Sequence, residues 1–185
     1  MGNTLLELLR NSLTPEPVPR RELITLASPV DRGNSMLTIF LYHIEENTDS
    51  RDSRMRDTGK GNQQYPPTAW NLYYLLTAYS SGSLPDRAVE EARVLGRAVQ
   101  TMKDNPLVKG SVLQGLLAEK DAGFKLETVK LTLEEVHELW DYPDLPYKVS
   151  VAFKAGPVEL ESTRVRDVKR IREVIIDIEQ SGKTQ

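Results

Sequence analysis

Two histidines are the first residues to weigh for metal binding or proton transfer. His43 and His137 lie far apart in the sequence, and neither has a second ligand at a metal-motif spacing. His43 follows Tyr42 at the end of a predicted strand, which indicates a partly buried side chain bonded to its neighbours. His137 falls on a short amphipathic segment near Trp140, where packing is the expected role. We therefore predict no metal site and no cofactor.

Two short sequences resemble pieces of phosphate-binding loops. Ser181-Gly182-Lys183-Thr184 resembles the last residues of a Walker motif, but Asp177 stands where that motif requires its first glycine. Only Gln185 follows it in this sequence, where the motif requires a helix to complete the phosphate cradle. Gly59-Lys60-Gly61 lies in a polar stretch without the required preceding strand. Neither sequence predicts a nucleotide site.

Two pairs of adjacent carboxylates remain as candidates for general acid–base chemistry. Glu45-Glu46 and Glu134-Glu135 are neighbours in sequence, whereas such chemistry needs two carboxyl groups facing each other across a cleft. Glu135 is also predicted to cap a helix. No serine lies in a G-x-S-x-G elbow, and the chain has no cysteine. We expect a protein that is not an enzyme.

The composition is that of an ordinary globular domain. The chain has 185 residues, of which 39% are hydrophobic and 28% charged, enough for one domain with its own core. The net charge of −3 argues against nucleic-acid binding, which needs a basic excess. No apolar run approaches the length of a membrane span, and the N-terminus lacks the pattern of a secretion signal. We expect a domain made in the cytoplasm that binds neither nucleic acid nor membrane.

Hydrophobic patterning predicts the elements of the first half of the chain. A first helix that ends before Pro15 is predicted by leucines at helical spacing, namely Leu5, Leu6, Leu9 and Leu13. The prolines at 15, 17 and 19 predict a stiff, extended connector. Alternation over residues 23–27 predicts a strand that ends at Ser28-Pro29, and residues 36–44 predict a central strand.

The middle of the chain predicts a loop, a strand and a helix. Residues 48–64 lack apolar periodicity and predict a long exposed loop, for which disorder until assembly is the favoured interpretation. Residues 71–80 fit helix or strand, and their aromatic content favours a strand buried on both faces. Residues 86–103 predict an amphipathic helix after Ser83 whose apolar stripe is Ala88, Ala92, Leu95, Val99 and Met102.

The last third predicts two strands, a short helix and an ambiguous tail. Residues 126–130 predict a strand, and Thr132 with Glu135 predicts a capping box that opens a helix, with Leu131 stapled onto Val136. Residues 147–154 alternate as in a strand with one buried face, its other face being solvated or covered by another subunit. The tail fits a helix over residues 165–178 or a strand over residues 174–178.

Five phrases in this order resemble one protein family. FLYHIEEN, PPTAWNLYYLLTAYS and LGRAVQTMKDNP lie within residues 38–106, and LTLEEVHELW and PYKVSVAF follow. Together they resemble the core of tail-terminator (cap) proteins of phage-tail-like extracellular contractile injection systems. The resemblance implies one α+β domain over residues 1–185, with a twisted, mostly antiparallel or mixed sheet flanked by helices. Residues 1–20 would form an N-terminal helix and connector, and residues 164–185 a basic arm.

The resemblance also implies a function and partners. Such a cap forms a ring, expected to be a hexamer, on the inner tube protein and contacts the sheath protein, which stops tube growth and anchors the sheath. It would assemble in the bacterial cytoplasm and belong to the finished particle, with a second cap protein as a further implied partner. We expect other family members to be longer than this chain. The chain could therefore be the terminal cap or a second, stacked cap protein that acts as an adaptor between the tube and the outermost cap. A neck or tail-completion adaptor of a phage is the alternative, and an enzyme using acidic residues is a weaker one.

Two basic clusters are the candidate partner contacts. The first lies in the central loop and comprises Arg51, Arg54, Arg56 and Lys60. The second lies in the tail and comprises Arg164, Arg166, Lys169, Arg170 and Arg172. Either cluster could simply be a solvated face, or it could dock on an acidic partner surface. Open strand edges, to which another chain can add a strand, are the other predicted contacts.

Overall fold

The computed structural model describes residues 1–50, 54–59 and 62–167, and the structure below is that of these residues. The helices are α1 (Gly2–Leu13), α2 (Leu84–Asp104), α3 (Leu116–Glu119) and α4 (Leu133–Leu139). The strands are β1 (Ile24–Thr25), β2 (Leu37–Glu46), β3 (Arg56–Gly59), β4 (Asn62–Gln64), β5 (Thr68–Ala78), β6 (Leu107–Val108), β7 (Phe124–Val129), β8 (Ser150–Leu160) and β9 (Val165–Asp167). Short 3₁₀ turns occur at Arg21–Leu23, Thr48–Ser50 and Gly110–Val112.

A six-stranded mixed sheet forms the centre of the fold. Its strand order is β1-β2-β5-β8-β7-β6, with β1 parallel to β2 and every other pair antiparallel. The three long strands β2, β5 and β8 are neighbours, so β5 is hydrogen-bonded on both sides. The predicted α+β class with a mixed sheet flanked by helices is confirmed.

The main core lies between the sheet and helices α1 and α2. Leu5 and Leu9 of α1 and Met102 of α2 are almost completely buried against Leu76 and Phe153 of the sheet. Each such side chain stabilises the fold by about 1.5–3 kcal/mol through removal of apolar surface from water. The leucines that predicted α1 thus face the core because their helical spacing puts them on one side.

A smaller cluster covers part of the opposite sheet face. Trp140 at the end of α4 is buried with Leu75 and Ala152, and Val136 packs against them. The prediction that β8 has a single buried face within the chain is therefore wrong, because α4 covers the other face at Ala152. The strand also begins at Ser150, so that Tyr147 lies before it with 56% of its surface exposed.

The predicted loop over residues 48–64 is partly a β-sheet. β3 pairs with β4, and β4 pairs with β9, which makes a three-stranded sheet that we call the ribbon. Most side chains of these strands are exposed, so their sequences show no apolar periodicity. The third strand, β9, is also distant in sequence from the other two, so the pairing could not be predicted from a local pattern. β9 is the start of the ambiguous tail, and it is a strand. The remaining tail residues, 168–185, lie outside the described residues.

Three further predictions need correction. Residues 14–19 form turns rather than an extended connector, because Val18 folds back into the core and its N–H donates to the Leu13 carbonyl at 3.0 Å. The predicted strand over residues 23–27 is reduced to Ile24–Thr25. In α2 the predicted stripe is displaced, because only the second half of the helix packs on the core and the buried residues are Val94, Leu95, Ala98, Thr101 and Met102.

Candidate assembly surface

One long edge of the main sheet is open. β1 pairs only with Leu37 and Thr38 of β2, whereas β5 pairs with β2 as far as Glu46. In the described part of the chain no strand lies outside β2 from Ile39 onward. We call the segment Ile39–Glu46 the β2 edge. Its outward backbone N–H and C=O groups can pair with a strand from another chain.

The side chains of the β2 edge divide into an apolar half and an acidic end. Ile39 is buried, and Leu41 exposes 38% of its surface although it is a large apolar residue. At the far end Ile44 is 50% exposed and is followed by the exposed carboxylates of Glu45 and Glu46. A long edge with exposed apolar side chains is unusual for a strand that stays unpaired.

A cavity lies beside the apolar half of the β2 edge. It has a volume of about 470 Å³ and lies between the first turn of α1 and the segment that follows β1. Met1, Leu26 and Leu41 are among its lining residues. Because side chains of an added strand would alternate in direction, every second one could enter this cavity.

An apolar groove continues from the acidic end of the β2 edge. It has a volume of about 500 Å³ and is lined by Met1, Ile44, Trp70, Leu72, Leu116, Leu117, Val158, Glu159 and Leu160. Ile44 belongs to both the groove and the edge, so the two features form one surface. Leu116 is 70% exposed and Leu160 is 59% exposed. This groove was not predicted from the sequence, although the adjacent leucines Leu116 and Leu117 were a signal there.

The ribbon brings the two predicted basic clusters together. Arg56 on β3 pairs in register with Gln64 of β4, which pairs with Val165 between Arg164 and Arg166. The Arg56 guanidinium lies 3.3 Å from the Glu159 carboxylate, and that of Arg164 lies over the Tyr65 ring at 4.3 Å from its centroid. Like Arg54, they are exposed. The remaining predicted contacts, Arg51, Lys60, Lys169, Arg170 and Arg172, lie outside the described residues.

A row of polar side chains crosses the sheet on the face that carries α4. The His43 ring lies 5.2 Å from that of Tyr73, and the Tyr73 hydroxyl donates a hydrogen bond to Glu45. That bond, with a smaller contribution from burial, raises the pKa of Tyr73 to about 12. Next in the row, the Lys154 ammonium lies 2.6 Å from Glu127 and lowers the pKa of that carboxyl. These groups bond one another and form no reactive cleft.

The candidate catalytic residues are not brought together. His43 and His137 are both exposed, which corrects the expected partial burial of His43 and the expected packing of His137. Glu135 accepts a hydrogen bond from the Thr132 N–H at 2.7 Å, as the predicted capping box requires. Within residues 1–50, 54–59 and 62–167, no group of three or more His, Cys, Asp or Glu residues could hold a metal ion.

The same described ranges contain no helix that is both long and apolar enough to cross a membrane. The Ser181-Gly182-Lys183-Thr184 sequence lies outside them. The described surface offers a strand edge, an apolar groove and a basic ribbon, which are features suited to binding other protein chains.

Known proteins resemble this chain in sequence and fold. The sequence matches the family model described as the Pvc16 N-terminal domain over residues 1–173. The sheath/tube terminator of PVC, an extracellular contractile injection system, in its extended state is 17% identical with a TM-score of 0.67, covering 98% of this chain and 63% of that one. The tube-terminating cap of the anti-feeding prophage is 18% identical with a TM-score of 0.65, covering 95% and 59%.

No curated protein sequence is similar enough to match the chain. The chain spans about 60% of the length of the two terminators, and at 17–18% identity the likeness shows the fold. The family model, in contrast, covers nearly the whole sequence, and it confirms the predicted tail-terminator family. The chain therefore belongs to the Pvc16 N-terminal domain family.

Proposed function

We propose that this protein terminates the tube of a contractile injection system as a structural cap. Six copies form a ring on the last layer of the inner tube and contact the end of the sheath. The observation that carries the proposal is the match to the Pvc16 N-terminal domain family over residues 1–173. The terminator-like fold supports it, because similar folds occur in a sheath/tube terminator and in a tube-terminating cap.

The mechanism is recognition by shape and charge. A closed symmetric ring leaves no unsatisfied head-to-tail surface, so a tube that carries it cannot accept another layer at that end. The ring assembles in the bacterial cytoplasm and remains in the finished particle. Once seated, it also anchors the sheath at the end that must stay attached during contraction.

The basic ribbon is the proposed contact with the tube or sheath. Arg56, Arg164 and Arg166 are exposed; Arg56 and Arg166 lie on one three-stranded sheet and Arg164 directly precedes its strand β9, although Arg56 is over a hundred residues from the other two. Charges at the rim of an interface steer the encounter and set its register more than they set its affinity. We therefore expect the ribbon to orient the ring on an acidic partner surface.

The decisive experiment is deletion of the encoding gene followed by electron microscopy of the particles. We expect tubes of irregular length and sheaths that are detached or already contracted, with both defects repaired by the wild-type gene. Tubes of normal length carrying stable extended sheaths would exclude the cap function. Electron microscopy of particles that carry a labelled, tagged copy distinguishes a terminal cap from an adaptor. The label of a terminal cap would lie at the end of the particle, whereas that of an adaptor would lie one layer below it.

Complementation with charge variants tests the role of the ribbon. A triple variant, Arg56→Glu with Arg164→Glu and Arg166→Glu, should fold but repair the particles poorly. Arg93→Glu is the matched control, because Arg93 is an exposed arginine on α2, away from the ribbon. Equal repair by the two variants would show that the ribbon does not orient the ring.

A further inference from the structure

We propose that the first half of α2, residues 84–93, is a lid that opens by local unwinding and is held closed by Glu91. The lid covers a small apolar pocket at the end of the main sheet where β5 ends and β8 begins. The proposal stands on the one-sided burial of α2, on the gap beneath its first half and on a polar latch. It goes beyond the proposed function and does not depend on it.

Only the second half of α2 packs on the core. All five buried residues of the helix lie between positions 94 and 102. Residues 84–93 are exposed apart from Arg87 and Glu91, which are partly exposed, and Leu84 exposes 80% of its surface. Isolated helices shorter than about 12–15 residues are marginal in water, because packing of an apolar face supplies most helical stability in proteins. The lid therefore depends on its few tertiary contacts.

A gap of about 170 Å³ lies between the lid and the sheet. Ala88 and Ala92 line it on the helix side, and Ala78 and Val149 line it at the strand ends. The alanine side chains leave this space unfilled, so the two surfaces lack the close contacts from which dispersion attraction arises. Unwinding of the lid therefore breaks little apolar packing, and it uncovers Ala78 and Val149.

The helix is also weak at both ends of the lid. At its start the Ser83 hydroxyl donates to the Asp86 carboxylate at 2.6 Å, and the Ser83 side chain accepts no backbone N–H as a helix cap would. Just beyond its end lies Gly96, an exposed residue within the helix. Glycine is the poorest helix former after proline, so unwinding that begins at Ser83 meets little resistance before the packed half.

Glu91 forms the latch that holds the lid closed. One of its carboxylate oxygens accepts a hydrogen bond from the Ser80 N–H at 3.1 Å and lies 2.6 Å from the Lys148 ammonium. Only 19% of the Glu91 side chain and 25% of the Lys148 side chain are exposed, so salt screens this ion pair less than a surface pair. The neighbouring Glu90 accepts a bond from the Ser80 hydroxyl at the exposed surface.

The other printed side-chain contacts of the lid are weaker. Arg93 pairs with Glu16, but both side chains are exposed, and such surface pairs contribute little. Arg87 donates to the Gly82 carbonyl at 3.5 Å, which is the outer limit of a hydrogen bond. The Arg87 Nε atom is buried without an acceptor among the described residues. Opening would return this N–H to water, which favours the open state.

Hydrogen exchange of backbone amides, measured by NMR on the full chain, tests the lid. The amides of residues 88–93 are compared with those of residues 98–103, which leaves out the first four N–H groups of the helix because they have no helical acceptor. We expect residues 88–93 to exchange at least about tenfold faster, since local opening does not require global unfolding. Equal protection in the two halves would overturn the proposal.

Glu91→Gln tests the latch at nearly constant side-chain size. We expect it to speed exchange of residues 88–93 roughly three- to tenfold and to leave residues 98–103 unchanged, because a hydrogen-bonded charge is lost from the lid alone. Glu127→Gln is the matched control, since Glu127 also lies 2.6 Å from a lysine, Lys154, but stands on β7. No larger change in the ratio of the two rates for Glu91→Gln than for this control would exclude Glu91 as the latch.

Ala88→Leu tests the gap by filling it. Leucine is a slightly poorer helix former than alanine, so slower exchange of residues 88–93 in this variant would come from packing against Ala78 and Val149. We expect exchange of these amides to slow by about threefold or more. Exchange as fast as in the wild type would show that no unfilled gap underlies the lid and would overturn the proposal. Residues 98–103 report any general folding defect, because they belong to the packed half.

Discussion

Gly156 is the position where a single added methyl group should most disturb the sheet. It lies in β8 at a register shift, where Leu72 of β5 pairs with Ala155 and Trp70 pairs with Val158. A Cβ atom on Gly156 would lie 2.7 Å from the Asn71 Oδ1 atom and 3.0 Å from the Trp70 carbonyl oxygen. A third atom, the Asn71 Cα, would lie at 3.1 Å. Two of these three atoms are backbone of β5.

The strand cannot easily move away from this methyl group. β5 is hydrogen-bonded to β2 on one side and to β8 on the other, so a shift at Asn71 disturbs both ladders. Overpacking of this kind costs about 1–3 kcal/mol. For a chain of this size, each 1 kcal/mol lowers Tm by about 2–4 °C. We therefore expect Gly156→Ala to lower Tm by about 2–12 °C in a thermal melt followed by circular dichroism.

Gly96→Ala is the matched control for the same chemical change. Gly96 is exposed in the interior of α2, and a Cβ there meets no atom within 4 Å. Alanine is the better helix former, so this variant should be more stable by about 0.5–1 kcal/mol. If Gly156→Ala melted at or above the wild-type temperature, the close approach of β8 and β5 would be wrong.

Two further predictions concern α4 and the polar row. Thr132→Ala removes the side chain that accepts a hydrogen bond from the Glu135 N–H. It should lower the free energy of unfolding, measured in urea, by about 1 kcal/mol. An unchanged urea midpoint would mean that α4 does not need its cap. An ultraviolet titration should show that the pKa of one tyrosine falls in Glu45→Gln. The Glu45 bond is the largest of the causes, with burial next, that together raise the pKa of Tyr73 from 10.0 to about 12. Since the folded pKa is the higher one, this stabilisation is complete below pH 10 and is lost between pH 10 and 12. A titration identical in Glu45→Gln would contradict the assigned hydrogen bond.

Local patterns predicted most elements correctly because each reports one helix or strand by itself. The leucine spacing of α1, the aromatic run of β5 and the Thr132 capping box are all satisfied within a few residues of chain. The displaced stripe of α2 shows the limit of this reasoning. Ala88 and Ala92 have the right spacing, but only tertiary packing decides which half of a helix meets the core.

The candidate site was less predictable, since it is assembled from distant segments. β3 and β4 have polar, exposed side chains, and their pairing with β9 joins residues about a hundred positions apart. The groove combines Met1, Ile44, Trp70 and Leu160 for the same reason. No window of sequence contains enough of such a surface to reveal it.

The sequence by itself determined the family and the order of the elements, because five phrases and the local hydrophobic periods are properties of the chain alone. Only the tertiary structure decided that β1 stops after two residues, and it thereby leaves β2 open from Ile39 to Glu46. It also decided that the ribbon unites Arg56 with Arg164 and Arg166. Both results follow from strand pairing between distant segments, whose backbone hydrogen bonds do not depend on the local pattern of side chains.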